Sequence, residues 1–396
     1  MVTVAEAKRR ITENTVALSL EAKVVSEVLG YVLATDVTAG LSLPSFRQSS
    51  MDGYAVLHTD INNQNISLPV VAESKAGGTS KITLKSGTAI RIFTGAPVPA
   101  GATAVIMQER TSVENGNVII KEYPVLENLN IRNVGQQIRE GDIALAAGTY
   151  LSAGAVGFLT GLNVQEVEVY RKPKIGILVT GDELVKTGEA LGDGQVYESN
   201  SAMLVAALKK EGVYQVEVYY AEDDLAATIS SLELLATRND VIIATGGVSV
   251  GDYDYVGKAL EAIGAETIFY KIRQKPGKPL LFAKTQRNYF YALPGNPASS
   301  LVCFYEYVLP ALRLMSGRKD NFLPSFKLPI SHAYSFNGER DEFLKASVSN
   351  GQVTSLEGQE SFALRSFAVA NALIYLPVTQ QNVYAGDLVE VHLLPL

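Results

Sequence analysis

Sulfur and imidazole are scarce in this chain: one cysteine, Cys303, and three histidines, His58, His332 and His392, are spread over 396 residues. Neither a disulfide framework nor a Cys/His zinc centre can be assembled from that set. A hard cation held by oxygen ligands is the metal chemistry that stays open. Long apolar runs are missing too, since no segment reaches the roughly 20 apolar residues of a membrane span. Met1 to Asn14 carries Glu6, Lys8, Arg9 and Arg10 before any long apolar run, unlike a secretory leader, and a cytoplasmic protein is expected. Positive charge is in deficit, with a formal net charge of -7, which argues against a general nucleic-acid or anionic-membrane surface. Any anionic ligand must therefore be met by a local cluster of donors.

What the chain does contain is the material of a folded protein, with 47% hydrophobic and 19% charged residues. Its length exceeds what one core organises, so several domains are expected. Val4 to Ile11 and Leu18 to Leu29 place apolar residues at helical spacing, which predicts two short helices. After Leu33 the glycines and prolines Pro44, Gly53, Gly77, Gly78, Gly87, Gly95, Pro97, Pro99 and Gly101 punctuate short runs such as Ala89 to Phe93 and Ala104 to Gln108. That texture predicts a compact β-rich unit. From Lys174 strand-like and helix-like stretches alternate: Ile175 to Val179, Ser201 to Lys210, Val216 to Tyr220, Leu225 to Thr237, Val241 to Ala244, Val256 to Ile263 and Thr267 to Tyr270. A helix from about Pro297 to Met315 closes the series. The alternation predicts a doubly wound, largely parallel sheet covered on both faces. Beyond Pro324, Phe326 to Ile330, Glu342 to Val348, Gln352 to Leu356, Ala372 to Leu376 and Leu388 to Leu393 read as strands of a small separate domain. No internal repeat or low-complexity tract is present. The expected fold class is multidomain α/β plus β, with a central doubly wound α/β domain, a β-rich N-terminal insertion and a small C-terminal β-barrel-like domain.

In open α/β sheets ligands bind beyond the carboxyl ends of the strands. The first such strand runs into Thr180-Gly181-Asp182-Glu183-Leu184, and the run at Val241 leads into Thr245-Gly246-Gly247-Val248-Ser249-Val250-Gly251-Asp252-Tyr253-Asp254. Glycines and hydroxyls there offer N–H and O–H donors to an oxyanion, and the carboxylates beside them suit magnesium. Each segment alone is also what an ordinary strand-to-helix turn looks like. Neither matches G-x-G-x-x-G, and G-x-x-x-x-G-K-[ST] is missing throughout, so nicotinamide dehydrogenases and P-loop NTPases lack their phosphate loops here. Lys271, Arg273, Lys275 and Lys278 gather within nine positions after a predicted strand, a local cluster suited to phosphate or another oxyanion and stiffened by Pro276-Gly277. Pro294-Gly295-Asn296-Pro297 precedes the long helix, with Asn296 placed as N-cap and Pro297 in the first turn. That helix start also offers N–H groups to an anion.

The strings S-x-M-D-G-Y-A at Ser49 to Ala55, T-G-A-P-V-P at Thr94 to Pro99, T-G-D-E-L at Thr180 to Leu184 and G-D-G-Q at Gly192 to Gln195 are joined by three more. These are G-G-V-S-V-G at Gly246 to Gly251, K-P-G-K-P at Lys275 to Pro279 and P-G-N-P at Pro294 to Pro297. In wording and order, over most of the chain, the set resembles the MoeA family, the molybdopterin molybdenumtransferases. The resemblance implies an elongated homodimer in which the molybdopterin-binding α/β domain meets neighbouring domains, including one of the other subunit, at the active site. It divides the chain into a discontinuous linker or dimerisation domain at 1–40 and 138–170, an inserted β-rich domain at 41–137, the α/β domain at 171–317 and a C-terminal β domain at 318–396. It also implies the reaction, adenylylated molybdopterin plus molybdate giving molybdenum cofactor and AMP with a divalent cation such as Mg2+. No nucleic acid or membrane partner is expected.

By motif position the resemblance carries catalytic roles to Asp52, Thr94, Glu183, Asp254, Lys271 and Lys275. Substrate-binding roles fall on Gly246, Gly247, Ser249, Lys278, Pro294, Gly295, Asn296, Pro297 and Ser366, and metal-binding roles on Glu183, Asp254 and Asp182. Asp223 is a weaker member, since an acid opening the helix near Leu225 explains it better. The sulfur ligands for molybdenum come with the substrate dithiolene, so a lone cysteine is no obstacle. Two strings depart from the family pattern. Gln136-Gln137 stands where an acidic pair follows the N-I-R string, and Lys345 stands where F-x-R ends in arginine. An amide cannot act as a carboxylate, and lysine offers one point charge where arginine offers a fork. The adenylyltransferase that prepares the substrate is the neighbouring enzyme alternative, although the flanking domains argue against it. A non-catalytic scaffold on the same fold is the other, and the acidic and basic set argues against that.

Overall fold

The computed structural model describes residues 1–396 except 79–81, 247–254, 337, 381 and 396. The chain forms two compact units: Met1–Ala22 with Val28–Ala34 and Glu168–Leu396, and Lys23–Glu27 with Thr35–Val167.

The larger unit is built on a six-stranded sheet of β1 (Ile175–Thr180), β2 (Val216–Ala221), β3 (Val241–Thr245), β4 (Glu266–Tyr270), β5 (Leu281–Lys284) and β6 (Tyr289–Leu293), in the order 2-1-3-6-5-4. Strands β2, β1, β3 and β6 run parallel, with Ile175 opposite both Val216 and Val241 and Val241 opposite Tyr289. β1 and β3 are buried at every position, as strands covered on both faces must be. The sheet is largely parallel, as expected, and β5 alone runs against the others, antiparallel to both of its neighbours, β4 and β6. The reason is connection length: Thr285–Asn288 joins β5 to β6 as a hairpin, far too short for a parallel crossover.

Helix α1 (Val4–Asn14) starts at Thr3, whose Oγ1 accepts from the Glu6 N–H at 3.1 Å. Its Val4, Ala7 and Ile11, spaced three and four apart, enter the main core with Ile177, Val179, Phe282 and Tyr291. The second expected helix, Leu18 to Leu29, is instead a strand at Leu20–Val24 followed by a 3-10 turn at Val25–Glu27. The β-branched pair Val24-Val25 disfavours helix, and the Val25 N–H is taken up by the Gln165 carbonyl, a tertiary bond that outweighs weak helical propensity. Helices α2 (Asn200–Lys210), α3 (Leu225–Ala236) and α4 (Tyr255–Ala262) fall where periodicity puts them. The long closing helix is α5 (Pro297–Cys303) and α6 (Leu309–Met315) with a π-helical segment, Phe304–Val308, between them.

The C-terminal strands β7 (Ser325–Pro329), β8 (Asp341–Ser349), β9 (Gln352–Ser355), β10 (Ala372–Leu376) and β11 (Leu388–Leu393) pair antiparallel, β7 with β11, β11 with β10, β10 with β8 and β8 with β9. A bridge from Ile330 to Val353 joins the end of β7 to β9, so the sheet closes into the expected barrel-like ring. Leu344 and Ala346 point into its core, while Phe343 faces the α/β core, the alternation of a strand.

The smaller unit contains a six-stranded sheet in the order Ala104–Met107, Gly53–Val56, Ala89–Ile92, Ile66–Ser74, Asn117–Ile120 and Thr111–Glu114. Tyr54 and Val56 belong to one apolar cluster and Ala55 to the other, as period-two side chains require. At Gly53 the neighbouring strand comes so close that a Cβ would lie 1.8 Å from the Ile106 carbonyl oxygen. Gly53→Ala is therefore expected to destabilise this unit by about 3 kcal/mol through overpacking; an unchanged urea midpoint would contradict the fit.

Candidate active site

The smaller unit brings two of the expected residues together. The turn after Ser49 presents the Asp52 carboxylate to Thr94, whose N–H and Oγ1 both donate to Oδ1 at 2.7 and 2.8 Å. Those two bonds hold the Asp52 carboxyl below its ordinary range, the backbone one foremost. Arg91, which sequence reading did not single out, lies over the Tyr54 and Phe93 rings at 5.0 and 4.9 Å and donates to Gln108 at 2.7 Å. Its signal was the cation between β-sheet aromatics, visible only once the strands pair. Gln136 and Gln137 line a separate cleft of about 510 Å³ with Gln48 and Arg132, where three amides leave the arginine as the sole formal charge of those four side chains.

In the larger unit a cleft of about 580 Å³ opens at the carboxyl ends of β1 and β3. Thr180, Glu183, Asn200, Thr245, Gly246, Gly295, Asn296, Pro297 and Phe362 line it. Gly246 has φ +92°, and a Cβ there would lie 2.6 Å from the Thr180 carbonyl, so only glycine lets the two strand ends converge. The Asn200 amide is oriented by donating to the Gly295 carbonyl at 2.8 Å. Asn200 Oδ1 and Thr180 Oγ1 are buried and have no hydrogen-bond partner among the described residues, polar atoms that a ligand would satisfy. Gly247, Ser249 and Asp254 lie outside the described residues.

Asp223 is clearer here than in the sequence. The cap of α3 is its neighbour Asp224, whose Oδ1 accepts from the Ala227 N–H at 2.8 Å. Asp223 is therefore not the cap: burial first, then the charges of Asp182, Glu183 and Asp224, push its carboxyl pKa up. The doublet Asp223-Asp224 was the available signal, since one helix start takes one cap.

A second cleft, about 310 Å³, gathers Lys275, Lys278, Pro294, Asn296, Ser299 and Arg340 with Gln359 to Ser361. Lys275 Nζ donates to Glu342 Oε1 at 3.0 Å, and the Tyr334 hydroxyl donates to the other oxygen at 2.9 Å. Lys271 is not among the residues that line either cleft; its ammonium lies 4.5 Å above the Tyr270 ring. Asn296 occupies the N-cap position of α5 but makes no side-chain cap. Its Nδ2 donates instead to Ser361 Oγ at 3.0 Å. Ser366 is buried and donates to the Gly358 and Ala363 carbonyls, and Lys345 is buried behind the same loop, so neither side chain lines these clefts. Strand alternation explains Lys345, which shares its face of β8 with Phe343.

Residues 2–162 match the MoeA N-terminal region (domain I and II), residues 176–314 a probable molybdopterin binding domain, and residues 327–394 the MoeA C-terminal region (domain IV). The molybdopterin molybdenumtransferase of Haemophilus influenzae is 34% identical over 374 residues, which cover 93% of this chain and 92% of the relative. That of a Nostoc species is 36% identical over 380 residues, covering 93% and 87%. The crystal structure of the molybdopterin biosynthesis MoeA protein from Pyrococcus horikoshii matches with a TM-score of 0.84 at 27% identity and covers 100% of both chains. With the three regions matched in order and relatives aligned over nearly the whole length, this chain belongs to the MoeA family.

Proposed function

We propose that this enzyme of molybdenum cofactor biosynthesis takes molybdate as its metal source, inserts molybdenum into adenylylated molybdopterin and releases AMP. The observation that carries this reading is the pair of adjoining clefts that share Asn296, one rich in oxygen and bordered by Glu183, the other holding Lys275, Lys278 and Arg340. Molybdate and a phosphoanhydride both concentrate negative charge, and the three cations would stabilise it where it accumulates. Asp52, kept ionised by Thr94, is assigned to the same reaction on its motif. Cys303 takes no part: it is buried, and burial followed by the Glu306 charge pushes its thiol pKa up, so it stays a poor nucleophile.

Magnesium is the divalent ion this reading implies. Among the described residues no group of three or more ligands is already assembled for a metal. Magnesium nevertheless keeps several waters and needs only one or two carboxylates, and the repulsion that Asp182 and Glu183 add to burial in raising the Asp223 pKa is what a cation would relieve. Asp182, Glu183 and Asp223 would hold it. When bound it would supply positive charge to the phosphate oxygens. A homodimer in the cytoplasm belongs to the same reading; among the described residues no helix is long and apolar enough to cross a membrane.

Purified protein supplied with adenylylated molybdopterin, molybdate and magnesium is expected to release AMP and to yield cofactor that activates an apo-molybdoenzyme. Absence of AMP with verified substrate would overturn the assignment.

A further inference from the structure

A single loop, Gly358 to Ala363, contributes to both clefts, and it is tied down from behind. Lys345, 1% exposed, donates from Nζ to the carbonyls of Gly358, Glu360 and Ala363 at 2.5, 3.1 and 3.0 Å. Gln359 brackets the Lys345 backbone, accepting from its N–H at 3.0 Å and donating to its carbonyl at 2.9 Å. In front, the Ser299 N–H donates to the Ser361 carbonyl at 3.2 Å. A loop held on both sides keeps its shape when a ligand arrives.

This loop carries Phe362, which is 67% exposed and lines the carboxylate cleft. An aromatic side chain left in water on a rigid support offers a flat apolar face at little ordering cost. The same cleft holds Asn200 Oδ1, an acceptor, and the Thr180 hydroxyl, a donor or acceptor, both buried without a partner among the described residues. A flat face together with unspent polar atoms fits a planar ring whose edge bears N–H and C=O groups.

We propose that Phe362 is a stacking platform for a nitrogen heterocycle of the substrate, that Asn200 and Thr180 take up the polar edge of that ring, and that Lys345 is the positioning residue of the loop. This rests on the reaction proposed above, which supplies a substrate with two such rings, pterin and adenine.

The chain contains no tryptophan, so Phe362→Trp places one fluorescent reporter on the loop. Titration with adenylylated molybdopterin, in the absence of molybdate, is expected to quench it. Phe362→Ala and Phe362→Leu are expected to bind that substrate roughly 10-fold more weakly, with KM rising more than kcat falls. AMP alone is the second titrant: quenching by AMP puts adenine on the ring, and quenching by the whole substrate only puts the pterin there. Lys345→Met is expected to lose the same roughly 10-fold and to add nothing in the Phe362→Ala background, because contacts that act as one unit are not additive. Additive losses would overturn the positioning role. Unquenched emission at saturating substrate, with Phe362→Ala binding as tightly as the parent, would overturn the stacking role. A parent enzyme that still releases AMP would show that the reaction stands without it, whereas quenching without AMP release would sink the reaction alone.

Discussion

Glu183→Gln is expected to lower the rate of AMP release by roughly 100-fold or more while affinity for adenylylated molybdopterin stays within about 3-fold. Glu183 follows a backbone turn at Gly181 with φ +142°, and its carboxylate folds back so closely that a Cβ at Gly181 would meet Oε2 at 2.8 Å. Glutamine keeps that shape and deletes the charge. The variant thus separates electrostatics from fit: the cleft stays intact, and a cation loses one of its anionic neighbours. The magnesium concentration needed for half-maximal rate should rise in parallel, which a purely structural role would not produce. Asp223→Asn should shift the same magnesium dependence in the same direction. Turnover of Glu183→Gln within about 3-fold of the parent, at any magnesium concentration, would remove Glu183 from the metal site.

The second large effect lies away from the clefts. Glu306, in the π-helical segment, is 2% exposed and accepts from Lys8 of α1 at 2.6 Å and from His392 of β11 at 2.7 Å. His392 Nε2 meets Glu390 at 3.0 Å, its ring stacks on Tyr375, and Lys8 also lies over the Phe322 and Phe343 rings. Burial opposes the charge on Glu306, but Lys8 and His392 outweigh it and hold the carboxyl below its ordinary value of 4.5. Burial likewise opposes the His392 cation, and Glu306 outweighs it, raising the imidazole pKa above 6.5. A depressed acid stabilises the fold above its unfolded pKa and loses that contribution as pH falls through the folded value. A raised base contributes below its unfolded pKa and loses its share as pH rises through the folded value. This network is therefore at full strength between about pH 4.5 and 6.5. Glu306→Gln leaves the Lys8 ammonium without its counterion and the buried His392 imidazole with only the exposed Glu390, and is expected to cost about 3 kcal/mol of stability. The loss of stability above pH 6.5 attributable to His392 should shrink with it. Thermal unfolding across pH 5 to 9 checks both, and a Glu306→Gln curve that parallels the parent's would refute the coupling.

Strands β1 and β3 were legible because a strand buried on both faces is an uninterrupted apolar run, and the C-terminal strands because their alternation is regular. Leu18 to Leu29 misled because Leu20 and Val24, the residues that suggest a helical stripe, are exposed; their apolar character reports no buried face. The reversed strand β5 was readable in principle from the four residues between β5 and β6. Within the site, glycine-bearing strings were informative because each answers a local backbone demand, as at Gly246 and Gly53. Side chains that act across the fold were not: Arg91, Arg340 and Phe362 belong to no periodic pattern, and the direction of Lys345 depends on which face of β8 it occupies. In the sequence the lysine reads as one point charge in place of an arginine fork, whereas its ammonium is spent on three carbonyls of one loop.

The segment Thr35–Val167 leaves and re-enters the larger unit at neighbouring points. The Ala34 N–H donates to the Glu168 carbonyl at 2.9 Å, and Leu33 bridges Val169. Every strand of the α/β sheet comes later in the chain than this excursion. In modular terms the segment is a cassette with a common entrance and exit: its length and content can change over evolution without moving a single strand of the host sheet, provided the doorway formed by Leu33, Ala34, Glu168 and Val169 is kept.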